Sequence, residues 1–185
     1  MSKLQVQGNA SGSGVITLEA PNTNSDVTLS LPAATGEVLT TATAGVPIGG
    51  PAFSAYQSSA QTLASNTTTK LLFQTETFDT NNNFDSSRFT PTVAGYYQIT
   101  ANFYVSASYT TGSVSFYKNG SIYQSGGGNS ASPSGTANGW QATCLVFLNG
   151  TTDYIEAYGI VATGQALTAG ASVTYFQGCL VRSAT

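Results

Sequence analysis

"FDSSRFTPTVAGYYQIT", residues 84–100, alternates apolar and polar positions around a Gly-Tyr-Tyr. The odd positions run Phe89, Val93, Gly95, Tyr97 and Ile99, and continue through Ala101, Phe103 and Val105. The even positions from 96 are Tyr96, Gln98, Thr100, Asn102 and Tyr104. A period of two marks a strand with one face in a core. The stretch is therefore β and central to its sheet. Its second face carries two tyrosines, and that face needs a covering of its own.

The chain around this strand shows strands and turns from about residue 52 onward, with no helical period. "TKLLFQTETF" precedes the Asn-rich "DTNNNF"; "SVSFYKNGSIY" reads as a hairpin turning at Lys-Asn-Gly. "WQATCLVFL", "YIEAYGIV" and "ASVTYFQGCLV" follow, separated by Gly, Asn and Thr turns. Many short strands of this kind predict an all-β sandwich or jelly roll. Two strands are apolar on both faces. Trp140, Ala142, Cys144, Val146 and Leu148 form one face, with Leu145 and Phe147 on the other. Phe176 and Leu180 likewise oppose Val173, Tyr175, Cys179 and Val181. A sandwich buries one face per sheet, so a second apolar face predicts a subunit contact.

Composition narrows the function. Of 185 residues only 7% are charged, against roughly 25% in typical globular proteins. Hydrophobic residues make up 41%, enough for a real core. Ser, Thr, Asn and Gly keep the surface wet without charge, as in secreted adhesins and virion fibres. Five Lys and Arg at net charge −3 leave little to neutralise phosphates, so nucleic-acid binding is not expected. No stretch approaches the roughly 18 apolar residues of a membrane span, so membrane insertion is not expected. The start, "MSKLQVQGNASGSG", lacks a secretory apolar run. A surface built for the outside without an export signal suits a viral particle; an incomplete sequence or leaderless export are the alternatives.

Residues 1–45 differ from the rest. "GVITLEAP", "DVTLSLPA" and "ATGEVLTT" supply three small apolar patches, too few for an independent core. The segment is expected to be an amino-terminal β-hairpin anchor that borrows partners. Residues 46–51 read as a Gly/Pro linker, and residues 52–185 as the head domain.

The spacing of aromatics in the head resembles a known family, the globular heads of complement's first component and their tumour-necrosis-factor-like relatives. Phe73, Asp79, Phe84, Phe89, Gly95 and Tyr97 match its signature, and Phe176, Gly178 and Leu180 match its closing Phe-x-Gly-x-Leu. The gap from Phe84 to Phe89 is four residues where the family usually has six. Ile99 stands where Phe is usual, and Ala101 replaces a last aromatic. The resemblance covers roughly residues 52–182. It implies a tumour-necrosis-factor-like jelly roll whose fixed aromatics fill the core, and a homotrimer whose contact includes Tyr96 and Tyr104. It also implies another strand between those bearing Cys144 and Cys179, which are read as reduced thiols. Residues 12–41 are similar to short segments recurring in bacteriophage fibre and virion structural proteins. That likeness implies other virion proteins as partners of the anchor.

Chemistry is sparse. With no histidine, Ser-His-Asp and Cys-His sites are excluded. Asp79 with Asp85, or Asp153 with Glu156, show no sign of a glycosidase cleft. No cofactor is expected. "DTNNNFD" places Asp79, Asn81 and Asn83 like alternate calcium ligands, but Phe84 and Thr90 stand where Gly and Glu belong. It reads better as a turn, and calcium stays open only because some relatives bind it. The loop at 124–139, flanked by Tyr123 and Trp140, is the recognition candidate for a host surface glycan or a protein. The competing reading is a solvated loop with Trp140 in the core. The expectation is a virion-surface structural protein, a short head fibre or capsid decoration. A receptor-binding tail adhesin and a polysaccharide-degrading enzyme are the rivals.

Overall fold

A computed structural model describes residues 11–13, 17, 24, 26, 28, 50–106, 111–126 and 138–184. The chain divides into two units, residues 1–43 and 44–185. All but a few scattered residues of the expected hairpin anchor, and all but the last residues of the expected linker, lie outside the described residues.

The second unit is all-β. Its strands are β1 (Ala52–Tyr56), β2 (Thr62–Leu63), β3 (Thr69–Lys70), β4 (Thr75–Asp79), β5 (Phe84–Asp85), β6 (Arg88–Phe89) and β7 (Gly95–Val105). They continue as β8 (Gly112–Lys118), β9 (Ser121–Ser125), β10 (Asn138–Leu148), β11 (Ile155–Val161), β12 (Gln165–Ala166) and β13 (Tyr175–Ser183). A five-stranded sheet runs β10-β7-β13-β1-β4. A six-stranded sheet runs β5-β6-β11-β8-β9, with β3 also pairing β11, and β12 pairs β2. All the strand pairings are antiparallel.

The alternation on β7 and β10 explains how the sheets close on each other. Tyr97, Ile99, Ala101, Phe103 and Val105 point inward from β7, and Trp140, Ala142, Cys144, Val146 and Leu148 from β10. Between the sheets Phe53 stacks on Phe84 and Phe89, with centroids 5.0 and 4.3 Å apart. Phe176 meets Phe53 edge-on at 5.0 Å. Aromatic pairs in these geometries add to the area they bury.

Phe89 does not extend β7, contrary to the reading of one alternation from Phe89 to Val105. It sits on β6, opposite Phe84 of β5 and Ile155 of β11, in the other sheet. Pro91 intervenes and has no N–H for a ladder. Both residues still point into one core, which is why the period ran through. The short Phe84–Phe89 gap is a two-residue turn in which Ser86 and Ser87 both have positive φ, 51° and 59°. The twist of that turn matches the flanking strands. The β8–β9 hairpin turns the same way at Asn119 and Gly120, φ 52° and 78°.

Both ends of the described head lie together. The carbonyl of Pro51 accepts from Leu180 N–H at 3.0 Å, and Ala184 N–H donates to Ala94 at 2.8 Å. At the other end of β7, Val105 lies opposite Asn138.

Candidate subunit interface

The outer face of the five-stranded sheet is built in rows by strand register. Thr143, Thr100, Gln177, Ser54 and Phe78 form one row across all five strands. Thr100 and Thr143 share a hydrogen bond at 2.9 Å. Toward Asn102 the face is aromatic and polar: Gln141 donates to the Tyr175 hydroxyl at 2.8 Å, and Tyr104 is half-buried. Toward Gly95 it is apolar. There Tyr96, Leu145, Phe147 and Val181, with Arg182, Ser183 and Ala184, line a shallow groove of about 540 Å³. Tyr96 packs on Phe147 at 5.4 Å, yet the two remain 45% and 39% exposed. Leu145 and Val181 are more than half exposed, at 56% and 52%. Four large apolar side chains are gathered in one place on a low-charge surface, the kind of patch that marks interaction sites.

The groove sits where it does because of a bulge. Register slips between Leu180 and Arg182, so Val181 is the extra residue and is turned out to solvent. Gly95 makes room beneath it, since a Cβ there would lie 2.5 Å from the Arg182 carbonyl oxygen.

Beside the groove, β10 is an edge strand, and its carbonyls are capped by side chains of the other sheet. Lys118 donates to Phe147 at 2.7 Å, Tyr123 to Leu145 at 2.9 Å and Gln124 to Thr143 at 3.3 Å. Unpaired strand edges invite further pairing, and capping blunts this one.

The recognition candidates separate. Trp140 is 2% exposed and packs on Phe103 at 5.1 Å, so it offers no surface to a ligand. Its alternation with Gln141 on β10 puts it inside. Tyr123 is 45% exposed, but its hydroxyl is committed to Leu145. The connection itself runs 126–137, shorter than expected from sequence, because β9 extends to Ser125 and β10 begins at Asn138. The signature residues Phe73, Phe84, Phe89, Gly95, Tyr97 and Phe176 are buried, while Gly178 and Leu180 are partly buried. Burial pushes the Tyr97 hydroxyl up to about 12, and it donates to Val93 at 2.6 Å.

The Asn-rich turn is internally satisfied. Asp79 accepts from the backbone of Phe84 and Asn81 at 2.7 and 3.2 Å, and Asn83 from Thr92 at 3.2 Å. No group of three or more potential metal-ligating residues occurs among the described residues.

One cluster escaped sequence reading. Glu156 is 3% exposed although it lies on the outward-facing set of β11. Its Oε1 accepts from Lys70 Nζ at 2.7 Å and Arg88 Nε at 2.8 Å, and Oε2 from the Tyr158 hydroxyl at 3.3 Å. Burial opposes its ionisation, but the two cations outweigh that and hold the carboxyl below its ordinary value. Arg88 also stacks on Tyr154, 3.9 Å from the ring centroid. Lys70 donates on to the Ser86 carbonyl at 2.9 Å, tying the cluster to the two-serine turn. The two cations share the one carboxylate, and the cluster fastens β3, β6 and β11 together.

Three solved structures share this architecture. The globular domain of a zebrafish complement 1qA protein aligns with a TM-score of 0.54 at 15% identity, over 74% of this chain and 100% of that one. The tumour-necrosis-factor-like fold is shown. Murine APRIL at pH 5.0 aligns with 0.54 at 12% identity, over 72% and 100% of the two chains. Eiger TNF from S. frugiperda gives 0.52 at 11%, over 74% and 96%. No protein-family model matches the chain, and no curated protein sequence matches it.

Proposed function

We propose that this chain is a non-enzymatic, homotrimeric jelly-roll head on the surface of a bacteriophage particle, acting as a short head fibre or capsid decoration. The observation that carries the trimer is the uncovered apolar end of the outer face at Tyr96, Leu145, Phe147 and Val181. The complement-like spacing of the aromatics supports threefold assembly through that face, with Tyr96 and Tyr104 in the contact. The neutral, hydroxyl- and amide-rich composition supports exposure on a particle. Residues 1–45, with their likeness to phage fibre segments, are the part assigned to docking on other virion proteins.

Light scattering at micromolar concentration is expected to return the mass of three chains, and a monomer mass overturns the trimer. Removing residues 1–45 is expected to abolish binding to particles stripped of the protein. Unimpaired binding of the truncated trimer moves the attachment to the head itself. A receptor-binding role has lost Trp140 as a contact and now rests on Tyr123 and the 126–137 connection. Binding of the purified head to host surface glycan tests it, and release of sugar from host polysaccharide tests the enzymatic rival.

A further inference from the structure

The outer face of the six-stranded sheet carries a row that runs Asp85, Arg88, Glu156, Tyr117 and Ile122, one residue from each strand. Tyr154 and Tyr158 stand two residues either side of Glu156, on the same face. The Tyr117 and Tyr158 rings touch, with centroids 4.0 Å apart. All three tyrosines are half-buried, and Ile122 beside Tyr117 is 60% exposed.

Burying Glu156 beneath this face is costly, and a buried ion pair rarely stabilises more than apolar side chains of the same volume. What the carboxylate does is fix its neighbours. It holds Arg88 by Nε and Tyr158 by its hydroxyl. A guanidinium has five N–H donors, and the four on the terminal nitrogens of Arg88 have no partner among the described residues. That side chain is 43% exposed and is steadied over the Tyr154 ring. The Tyr117 and Tyr154 hydroxyls also have no partner among the described residues. Lys70 is spent on Glu156 and the Ser86 carbonyl, and Asp85 accepts from the Ser86 hydroxyl. Buried ionisable groups that orient exposed ones are a mark of functional sites.

We propose that this face binds a glycan through an acidic sugar, whose carboxylate pairs with the terminal nitrogens of Arg88 while its rings lie on Tyr154, Tyr117 and Ile122. Guanidinium and carboxylate are both planar and pair through two parallel bonds. The C–H faces of sugars suit the rings, and sugar hydroxyls suit the two unspent phenols. Arg88 and Tyr117 are two strand spacings apart, about 9.6 Å, so the occupant is at least a disaccharide. A peptide would look for main-chain partners, and β6, β11 and β8 are interior strands paired on both sides. The face lies on the other sheet from the groove, so the assignment does not rest on the trimer reading.

The test titrates the full chain with galacturonic, glucuronic and mannuronic acid trisaccharides, read by calorimetry. At least one is expected to bind with a Kd of about 1 mM or tighter, and its carboxyl-reduced form roughly tenfold more weakly. Arg88→Lys keeps the charge but loses the planar fork, so uronate binding should fall roughly tenfold and binding of the reduced sugar should not change. Ile122→Ser, at an exposed position, should weaken both sugars, and it decides the matter if Arg88→Lys does not fold. No uronate binding, equal affinity for the reduced sugar, or an affinity that neither variant changes overturns the proposal. Equal binding of triglutamate would make the face a plain anion site and overturns the sugar.

Discussion

Cys144 and Cys179 lie on opposite faces of one sheet, with β7 between their strands. Cys144 is opposite Ile99 and buried; Cys179 is opposite Gln98 and exposed. Two strand spacings put their Cα atoms about 9.6 Å apart, beyond the roughly 7 Å that a disulfide spans.

Non-reducing digestion and mass spectrometry should therefore find both thiols free. Burial pushes the Cys144 thiol up to about 12, so an alkylating reagent at pH 8 should leave it unmodified until the fold opens. Cys179 lies within the proposed contact face, and its labelling should speed up on dilution below the assembly threshold. A 144–179 bridge in the native protein would refute the strand order.

Phe89→Ala should cost roughly 3–5 kcal/mol, since the ring is fully buried against Phe53 and Tyr97. Thermal unfolding measures it. A Tm equal to that of the unaltered chain would mean that the Phe53–Phe89 stack contributes nothing.

Gly95→Ala should also destabilise, because the added Cβ meets backbone, the Arg182 carbonyl, instead of a side chain that can move. At Gly178 the nearest atom is the tip of Ile99, so Gly178→Ala should cost less. Equal losses in chemical denaturation would place the bulge at Val181 wrongly.

Acid should weaken the fold through Glu156. Its native value is lowered by Lys70 and Arg88 against the cost of burial, so its contribution is full above its ordinary value of 4.5. That contribution is lost as pH falls through the lowered native value. Glu156→Gln should cost roughly 1–3 kcal/mol at pH 7 and progressively less toward pH 3. A difference in Tm that stays constant over that range would show that the carboxylate charge is not what holds the cluster.

The caps on β10 can be removed with little change of bulk. Tyr123→Phe with Gln124→Leu should lower stability by no more than about 1 kcal/mol per lost bond. The aggregation onset on warming, followed by light scattering, should fall by more than that loss accounts for. An unchanged onset would show that the edge needs no caps.

The sheets were legible where a strict period of two carried the signal, on β7 and β10, because one buried face fixes register there. The same alternation already placed Trp140 inside, and its position beside a long loop was a weaker signal than its parity. Phe89 misled in a different way: two strands pointing into one core from opposite sheets can keep a single period across a turn. Glu156 was illegible because its partners, Lys70 and Arg88, are 86 and 68 residues distant in sequence. Its alternation on β11 assigns it to solvent, and only the tertiary fold covers it. The second face of β10 was legible as apolar. The bulge that turns Val181 out beside it was not, since register is a property of the folded chain.

The entry of the chain at Pro51 and its last described residues lie at one end of the sandwich, and β7 runs about 35 Å from there to Val105. The connections that leave Val105 and that lead into Asn138 start from the far end. A label joined directly after Ala184 would emerge beside the groove and crowd it. A foreign epitope grafted between Gly126 and Asn138 would stand at the opposite end of β10 from the groove, repeated once per copy. The head is thus laid out as a scaffold for multivalent presentation, and insertion there should leave the groove open while a fusion after Ala184 competes for it.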